Sequence, residues 1–332
     1  MSGATGMTET GRSHLGTAAI GRLFRDRPIV PLLVLLAVLV GLSELARPGI
    51  VSPEWVGVIV RAAVPLAILA GCQTLTMLTG GIDLSVGAVA SMSGFVVATL
   101  VLGPGTPAGI VVALLVAALA GLVTGVGVGV FRVHPLIMTL GMSLVVLGLA
   151  NVWQLVMVKT NSGVPPELRW IGSEEVFGIL PVSLLLFIPL TVVILVGLRR
   201  SGFGRLLYAI GDNPVAARLS GARSWQVLVV LYVISALMAA LAGFLIAGET
   251  NVASVSLGDS SVLPSVAAAV IGGTSIMGGR GGFGGAIVGA LILTVISSLL
   301  ASLGYPEAVR QILFGGIIVV VAAAYTRVTG ES

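Results

Sequence analysis

The stretch LRRSGFGRLLYAIGDNPVAARLSGARSW, residues 198–225, decides how this chain folds. It carries a single acid, Asp212, among several arginines, within an otherwise strongly apolar sequence. A charged side chain at the centre of a bilayer costs roughly 2.5–3.5 kcal/mol on an insertion scale, so this stretch must lie outside the hydrocarbon. An excess of arginine in a short connection predicts the cytoplasmic side of a membrane. The arginines are Arg199, Arg200, Arg205, Arg218 and Arg223.

A short helix is predicted inside this stretch. Asp212 or Asn213 can cap it, and Pro214 suits its first position. The following VAARLS supplies about one and a half turns before Gly221 ends the helix. A short capped helix in a cytoplasmic connection is typical of a docking element for a soluble partner.

Composition fixes the class of the protein. Of the 332 residues, 57% are hydrophobic and only 9% are charged, and the mean hydropathy is +1.14. A soluble domain of this size needs a more polar surface, so the chain is predicted to be a polytopic membrane protein. The single cysteine, Cys72, and the two histidines, His14 and His134, predict neither a disulfide framework nor a metal site. No catalytic constellation is evident, so we expect a protein that is not an enzyme.

The apolar runs predict an all-α bundle of about ten transmembrane helices with both termini in the cytoplasm. Residues 1–27 are predicted to be a disordered cytoplasmic tail, and residues 28–328 the transmembrane domain, with a cytoplasmic loop at 199–224 and an external loop at 158–180. This layout places 12 of the 17 Lys and Arg residues inside. It also explains the basic pI without a nucleic-acid partner. The predicted spans are 29–46, 55–79, 84–102, 108–131, 136–157, 181–198, 225–248, 261–278, 284–303 and 308–326.

The external loop is acidic, with Glu167, Glu174 and Glu175 beside two prolines and Trp170. It is either a solvated connection or the surface that meets an extracytoplasmic protein delivering the solute. The sequence leaves both readings open.

Two pairs of predicted spans begin in similar ways, which indicates an inverted internal repeat. Asp83-Leu84-Ser85 opens the third span and Gly258-Asp259-Ser260 the eighth. His134-Pro135 opens the fifth and Tyr305-Pro306 the tenth. Five spans separate the members of each pair, so the two halves would run in opposite directions, as in many transporters.

Polar residues within the spans are the candidates for a solute path, because such side chains tend to face the interior of a bundle. In LTGGIDLSVGAVASMSG, residues 78–94, a broken helix could line that path. The alternatives are a helix cap for Asp83 and helix-to-helix hydrogen bonds for the others. The candidates are Gln73, Asp83, Ser85, Asn151, Gln154 and Asn251.

A second glycine-rich segment, IGGTSIMGGRGGFGGAIVGALI at 271–292, predicts a tight cytoplasmic turn around Arg280 and close helix packing after Gly284. It is not a phosphate-binding loop, because no lysine follows the glycines. The only lysine, Lys159, is predicted to be external, so this chain is not expected to bind ATP. No series of buried acids or histidines runs through the spans, which disfavours a proton-coupled carrier.

Three motifs together carry a resemblance: GGIDLSVGAVASMSG at 80–94, AIGDNPVAARLSG at 209–221 and IGGTSIMGGRGGFGGAIVGALIL at 271–293. In this order and spacing the chain resembles the permease subunits of bacterial ATP-binding-cassette sugar importers, of the ribose/xylose/arabinose/galactose type. The resemblance extends from about residue 30 to 326.

The resemblance implies a permease that moves a monosaccharide across the inner membrane by alternating access. It implies a second permease copy or a paralogue, ATPase subunits that bind ATP and Mg, an extracytoplasmic sugar-binding protein, and membrane lipid around the bundle. No cofactor is implied in this chain. The alternatives are a permease for another polar solute, such as a nucleoside or polyol, and a self-sufficient secondary carrier. The ATPase contact is implied for Gly211, Asp212, Asn213, Pro214, Ala216, Ala217, Arg218 and Gly221.

Overall fold

A computed structural model describes residues 29–101, 105–157, 163–176 and 178–329, with side chains up to residue 320. The predicted tail at 1–27 and residues 158–162 of the predicted external loop lie outside the described part. Its helices are α1 (Ile29–Ala46), α2 (Pro53–Met77), α3 (Val86–Leu100), α4 (Thr106–Gly129), α5 (Pro135–Met157), α6 (Pro166–Ser173), α7 (Leu184–Arg200), α8 (Gly202–Asp212), α9 (Pro214–Leu219), α10 (Ser224–Thr250), α11 (Val262–Ile271), α12 (Phe283–Ser302) and α13 (Glu307–Thr329).

The described part of the chain is an all-α membrane domain, as the sequence predicts. Six helices are long and apolar enough to cross a membrane: α1, α2, α4, α5, α10 and α12. A seventh span results if α7 and α8, which are bent by 66° at Ser201, are counted together. The structure therefore does not confirm ten spans.

Two predicted spans are shorter as helices than the sequence suggests. The third is helical only from Val86 to Leu100, and it is separated from α2 by a break that contains Gly80, whose φ is +78°. The eighth ends at Ile271 rather than at 278, because Gly273 adopts a φ of +87°. Glycine tolerates these left-handed conformations at little cost. Both helices, α3 and α11, are apolar but short.

The long helices run between two ends of the molecule, which we call the α9 end and the α6 end. At the α9 end, α2 finishes beside the connection between α8 and α9, where the backbone of Leu78 contacts Gly211. At the α6 end, α4 begins beside α6, since the Thr106 hydroxyl donates to Glu167 Oε2 at 3.1 Å. Helix α10 begins next to α9 and finishes against α6.

Helix α10 is the centre of the bundle, packed against α2, α3, α4 and α6. Its glycines allow these helices to approach closely. A Cβ atom on Gly243 would collide with the backbone of Ala90 in α3, and one on Gly248 would collide with Leu168 in α6. Helix association in a membrane depends on such small residues, because lipid gives no hydrophobic driving force between helices.

The short helices α3 and α11 begin next to each other in the interior. The backbone N–H of Gly258, just before α11, donates to Ser91 Oγ of α3 at 2.8 Å. A Cβ on Gly87 would lie 2.9 Å from the Gly258 carbonyl oxygen. From this meeting point α3 leads towards the α6 end, and α11 leads towards the α9 end, where Gly272 packs against Gly285.

The first prediction concerns the contact between α10 and α3. Gly243→Ala should lower the melting temperature of the purified chain, because the added methyl must push α3 away from α10, and overpacking of this kind costs about 1–3 kcal/mol. The measurement is thermal unfolding in detergent, followed by tryptophan fluorescence. Gly148→Ala is the matched control, since a Cβ there meets nothing within 4 Å; equal melting temperatures for the two variants would contradict the packing.

Candidate functional site

Helix α9 is capped at both ends. Asn213 Oδ1 accepts hydrogen bonds from the backbone N–H groups of Val215 at 3.1 Å and Ala216 at 2.9 Å. Of the two predicted caps, Asn213 is therefore the one used, and Asp212 is the last residue of α8. At the other end Gly221, with a φ of +84°, reverses the chain.

Two backbone bonds complete the C-terminal cap. Gly221 N–H donates to the Arg218 carbonyl at 3.0 Å, and Ala222 N–H donates to the Ala217 carbonyl at 3.1 Å. This pair of bonds is the Schellman motif. The predicted start and stop of the short helix are thus confirmed, and they make α9 a rigid unit of six residues.

The surface of α9 is unusually open for a helix this apolar. Only Ala217 is buried, whereas Leu219 is 84% exposed and Val215 is 55% exposed. Asp212, Asn213, Pro214, Ala216, Arg218 and Gly221 are exposed as well. Apolar side chains presented on a rigid, projecting element are suited to being covered by another molecule.

Gly211, near the end of α8, packs directly against the backbone of the rest of the bundle. A Cβ on Gly211 would overlap the Leu78 carbonyl oxygen and would lie 2.5 Å from Gly279 N. Gly279 N–H itself donates to that Leu78 carbonyl at 3.0 Å. The end of α8, the end of α2 and the glycine-rich turn at 272–282 are therefore in direct backbone contact.

The same turn is also tied to α8. The Tyr208 hydroxyl donates to the Gly281 carbonyl at 2.9 Å, and Ser275 N–H donates to the Arg280 carbonyl at 2.9 Å. Four glycines of this turn have positive φ values, namely Gly273, Gly278, Gly279 and Gly281. The tight turn predicted around Arg280 is thus observed.

The break between α2 and α3 is held by a buried polar cluster. The Gln73 side chain donates through Nε2 to the Asp83 carbonyl at 2.8 Å and accepts through Oε1 from Asp83 N–H at 3.2 Å. The Asp83 carboxylate accepts from Ser85 N–H at 3.0 Å, from Ser85 Oγ at 2.6 Å and from Ser235 Oγ at 2.8 Å. Gln73, Asp83 and Ser85 are all nearly inaccessible to solvent.

Two members of this cluster are missed by the sequence reading. Ser235 reaches Asp83 from the middle of α10, and Thr139 Oγ1 accepts from Leu84 N–H at 3.1 Å from α5. Ser235 is an isolated polar residue in an apolar helix, a signal that the sequence does contain. Its partner is 152 positions away, so only the fold reveals the pairing.

The other three predicted solute-path residues are not part of this cluster. Asn151 is exposed on α5 and donates to the Leu147 carbonyl of its own helix at 2.8 Å. Gln154 is half-buried on the same helix. Asn251 is exposed and follows the last residue of α10 with a φ of +53°, a left-handed conformation that ends the helix. The structure thus brings together three of the six.

The described part of the predicted external loop is ordered structure. It forms α6 and a hairpin of β1 (Glu175–Val176) and β2 (Leu180–Pro181). Arg61 of α2 fixes this hairpin, because its Nη1 donates to the Ser173 carbonyl at 2.7 Å and to Glu175 Oε1 at 3.2 Å. Helix α6 and the hairpin therefore cover the α6 end of the bundle.

Charge is divided unequally between the two ends. Among residues with described side chains, the α9 end carries one acid, Asp212, and the acids of α6 and the hairpin lie at the opposite end. Within the same residues, no group of three or more His, Cys, Asp or Glu side chains is arranged to hold a metal ion. The arginines of the α9 end are Arg132, Arg199, Arg200, Arg205, Arg218, Arg223 and Arg280.

The described structure is a helical membrane bundle with a rigid, exposed helix at one end, and comparison with known proteins gives its class. A family model described as branched-chain amino acid transport system / permease component matches residues 56–322. The chain belongs to this family of membrane permease components.

Individual relatives are import permeases for small solutes. The ribose import permease protein of Escherichia coli is 32% identical over 324 residues, 95% of this chain and 96% of the relative. The fructose import permease protein of Rhizobium meliloti is 31% identical over 301 residues, 89% and 84% of the two chains. The galactofuranose transporter permease protein of Escherichia coli is 32% identical over 265 residues, 79% and 77%. No solved structure matches the chain.

These findings confirm the resemblance that the three motifs predict. The motifs at 80–94, 209–221 and 271–293 correspond in the structure to the polar break before α3, the double-capped helix α9 and the turn packed against it. All three lie within the region that the family model covers.

The second prediction tests the buried cluster. Gln73→Leu should destabilise the chain, because it leaves the N–H and carbonyl of Asp83 without their partner, at about 1–3 kcal/mol for each buried group. The measurement is the melting temperature and the monodispersity of the purified protein in detergent. Asn151→Leu is the control, since this exposed side chain bonds only within its own helix, and it should change the melting temperature little. A Gln73→Leu variant as stable as the control would contradict this role.

Proposed function

We propose that this chain is the permease subunit of an ATP-driven importer that carries a monosaccharide across the bacterial inner membrane. The solute class rests on the relatives, whose names specify ribose, fructose and galactofuranose. The mechanism rests on α9, a rigid and exposed helix. Gly211, which lies just before α9, is in backbone contact with Leu78 at the end of α2. ATP and Mg are bound by the partner ATPase, and this chain carries no cofactor.

Docking of the ATPase on α9 follows from its surface. Leu219 and Val215 offer apolar contact, and Arg218, on the same helix, offers a charge that an acid of the ATPase can pair with. The capping bonds at Asn213 and Gly221 keep the helix from fraying when it is pushed. In this proposal Gly211, Asp212, Pro214, Ala216 and Ala217 belong to the contact segment.

The arginine excess supports an inward orientation of the α9 end, because short cytoplasmic connections are enriched in arginine. Both termini are then cytoplasmic. In this proposal the chain crosses the membrane ten times, with α3, α11 and α13 as the spans that fall outside the six or seven long apolar ones. The antiparallel courses of α3 and α11 from a common starting point support an inverted repeat.

Movement of α9 has a direct structural route to the interior. Closure of the ATPase dimer displaces α9, and Gly211 passes that displacement to Leu78 at the end of α2 because no space separates them. Five residues further on, Asp83 anchors the start of α3 against Ser235 of α10. Rigid-body shifts of packed helices around such a point produce alternating access.

The solute path is proposed to run beside the start of α3. Gln73, Asp83 and Ser85 set the position of that start, and Asn151, Gln154 and Asn251 remain candidates for weaker contacts with the solute along the path. A second copy of this chain, or a paralogue, completes the channel. An extracytoplasmic sugar-binding protein would deliver the solute at the α6 end, where α6 and its hairpin form an acidic cover.

The third prediction is the test of function. Vesicles containing this chain should accumulate labelled ribose, fructose or a related monosaccharide only when its ATPase, its binding protein and ATP are all present. Leucine belongs in the same panel, because the family description names branched-chain amino acids. Nucleosides and polyols complete it. Uptake by the chain alone, driven by an ion gradient, would identify a secondary carrier instead.

The fourth prediction addresses α9. Leu219→Glu should weaken binding of the ATPase by about tenfold or more, because it places a charge in a contact that must be desolvated, at a cost of more than about 1.4 kcal/mol. The measurement is co-purification of the ATPase with the chain, together with the melting temperature of the chain alone. Leu303→Glu is the control, a half-exposed leucine at the end of α12. Equal ATPase binding by both variants would contradict docking on α9.

A further inference from the structure

A cavity of about 670 Å³ lies beside α9, at the ends of three apolar helices. It is lined by the last residues of α4, the first residue of α5 and the first turn of α10. All three helices are long and apolar enough to cross a membrane. The cavity therefore lies where these helices leave the hydrocarbon, at the membrane–water interface.

The charge of this cavity is one-sided. Arg132, Arg218 and Arg223 line it, and no acidic side chain does. None of the three arginines forms an ion pair with a residue in the described part of the chain. Asp212, the acid of this end, does not line this cavity but a second one of about 630 Å³, which shares Ala222 and Arg223 with the first.

The remaining lining is apolar and aromatic. Val128 and Leu228 contribute to the wall, and Trp225, 48% exposed, stands at its edge. Beside it, in the connection from α4 to α5, Phe131 is 74% exposed. Trp side chains are enriched at membrane interfaces, where an apolar ring and a polar edge meet both phases. The cavity thus joins a basic region to an apolar one.

We propose that this cavity binds the phosphate headgroup of an anionic phospholipid, with the acyl chains running along the exposed apolar side of α5. Basic pockets between membrane helices on the cytoplasmic side have the chemistry for such headgroups. The cavity shares Gly211, Pro214 and Arg218 with the segment proposed for the ATPase contact, but the exposed apolar side chains of that contact, Val215 and Leu219, do not line it. Arg218 belongs to both surfaces, so the bound lipid would also support α9 from behind.

This inference rests on the membrane location of the chain and on its orientation, and not on the transported solute. The experiment uses the full chain without binding protein or sugar, and the ATPase is added only in a final competition step, so its outcome is separate from that of the uptake test. The chain is placed in nanodiscs that contain both phosphatidylcholine and phosphatidylglycerol. In one preparation the phosphatidylcholine is brominated on its acyl chain, and in the other the phosphatidylglycerol is. Quenching of Trp225 is obtained as the difference between the chain and its Trp225→Phe variant.

We expect phosphatidylglycerol to be preferred over phosphatidylcholine at Trp225. Arg132→Gln and Arg223→Gln should each reduce that preference about fivefold, the change that corresponds to about 1 kcal/mol for one arginine near an anionic surface. Arg200→Gln is the matched control, an exposed arginine at the same end that does not line the cavity, and it should keep the full preference.

Four results would overturn the proposal. Equal quenching by the two lipids, or an unchanged preference in Arg132→Gln, would show that the cavity does not select an anionic headgroup. Displacement of phosphatidylglycerol by inorganic phosphate at matched ionic strength would assign the cavity to a free anion. Loss of the preference on addition of the purified ATPase would show that the cavity is a binding site for the ATPase and not for a lipid.

Discussion

The chain must leave its helical path between α2 and α3 in the interior of a membrane domain, and backbone polar groups there have no water to bond with. Side chains supply the hydrogen bonds that water would otherwise provide. Gln73 bonds both the N–H and the carbonyl of Asp83, and Thr139 bonds the N–H of Leu84. The Asp83 carboxylate then holds Ser85 and, across the bundle, Ser235. These polar residues therefore hold the break between α2 and α3 in place.

Glycine links this interior break to the surface. The end of α2 lies five residues before Asp83, and its Leu78 carbonyl is in contact with Gly211 and bonded to Gly279. A side chain at Gly211 would separate α9 from the bundle by the thickness of a methyl group. Because packed interiors have discrete arrangements rather than continuous ones, a displacement at such a contact moves whole elements. The same close packing that stabilises the fold therefore also connects α8 and α9 with the interior break.

The sequence predicts the parts of this structure that depend on local chemistry. An Asn-Pro pair followed seven residues later by a glycine defines α9 from local sequence alone, since cap, first turn and stop all lie within nine residues. The apolar runs likewise locate the long helices. Helix α6 is an element that the local sequence does not predict. PELRWIGS has a proline at its first position, but the segment is as polar as a solvated loop. Its order comes from packing on α10 through Gly172 and Gly248, which are 76 positions apart in the chain.

The short lengths of α3 and α11 are a further property that the sequence does not reveal, because each continues an apolar run that is long enough to cross. The two helices begin where they meet, since Gly258 approaches Gly87 and bonds to Ser91, and Gly273 ends α11 early on its other side. Instead of two long continuous helices, the chain thus has two short helices whose starts face each other in the interior. Such interrupted helices are tolerated in membranes where protein satisfies their backbone, and in transporters they are the elements around which the two halves move.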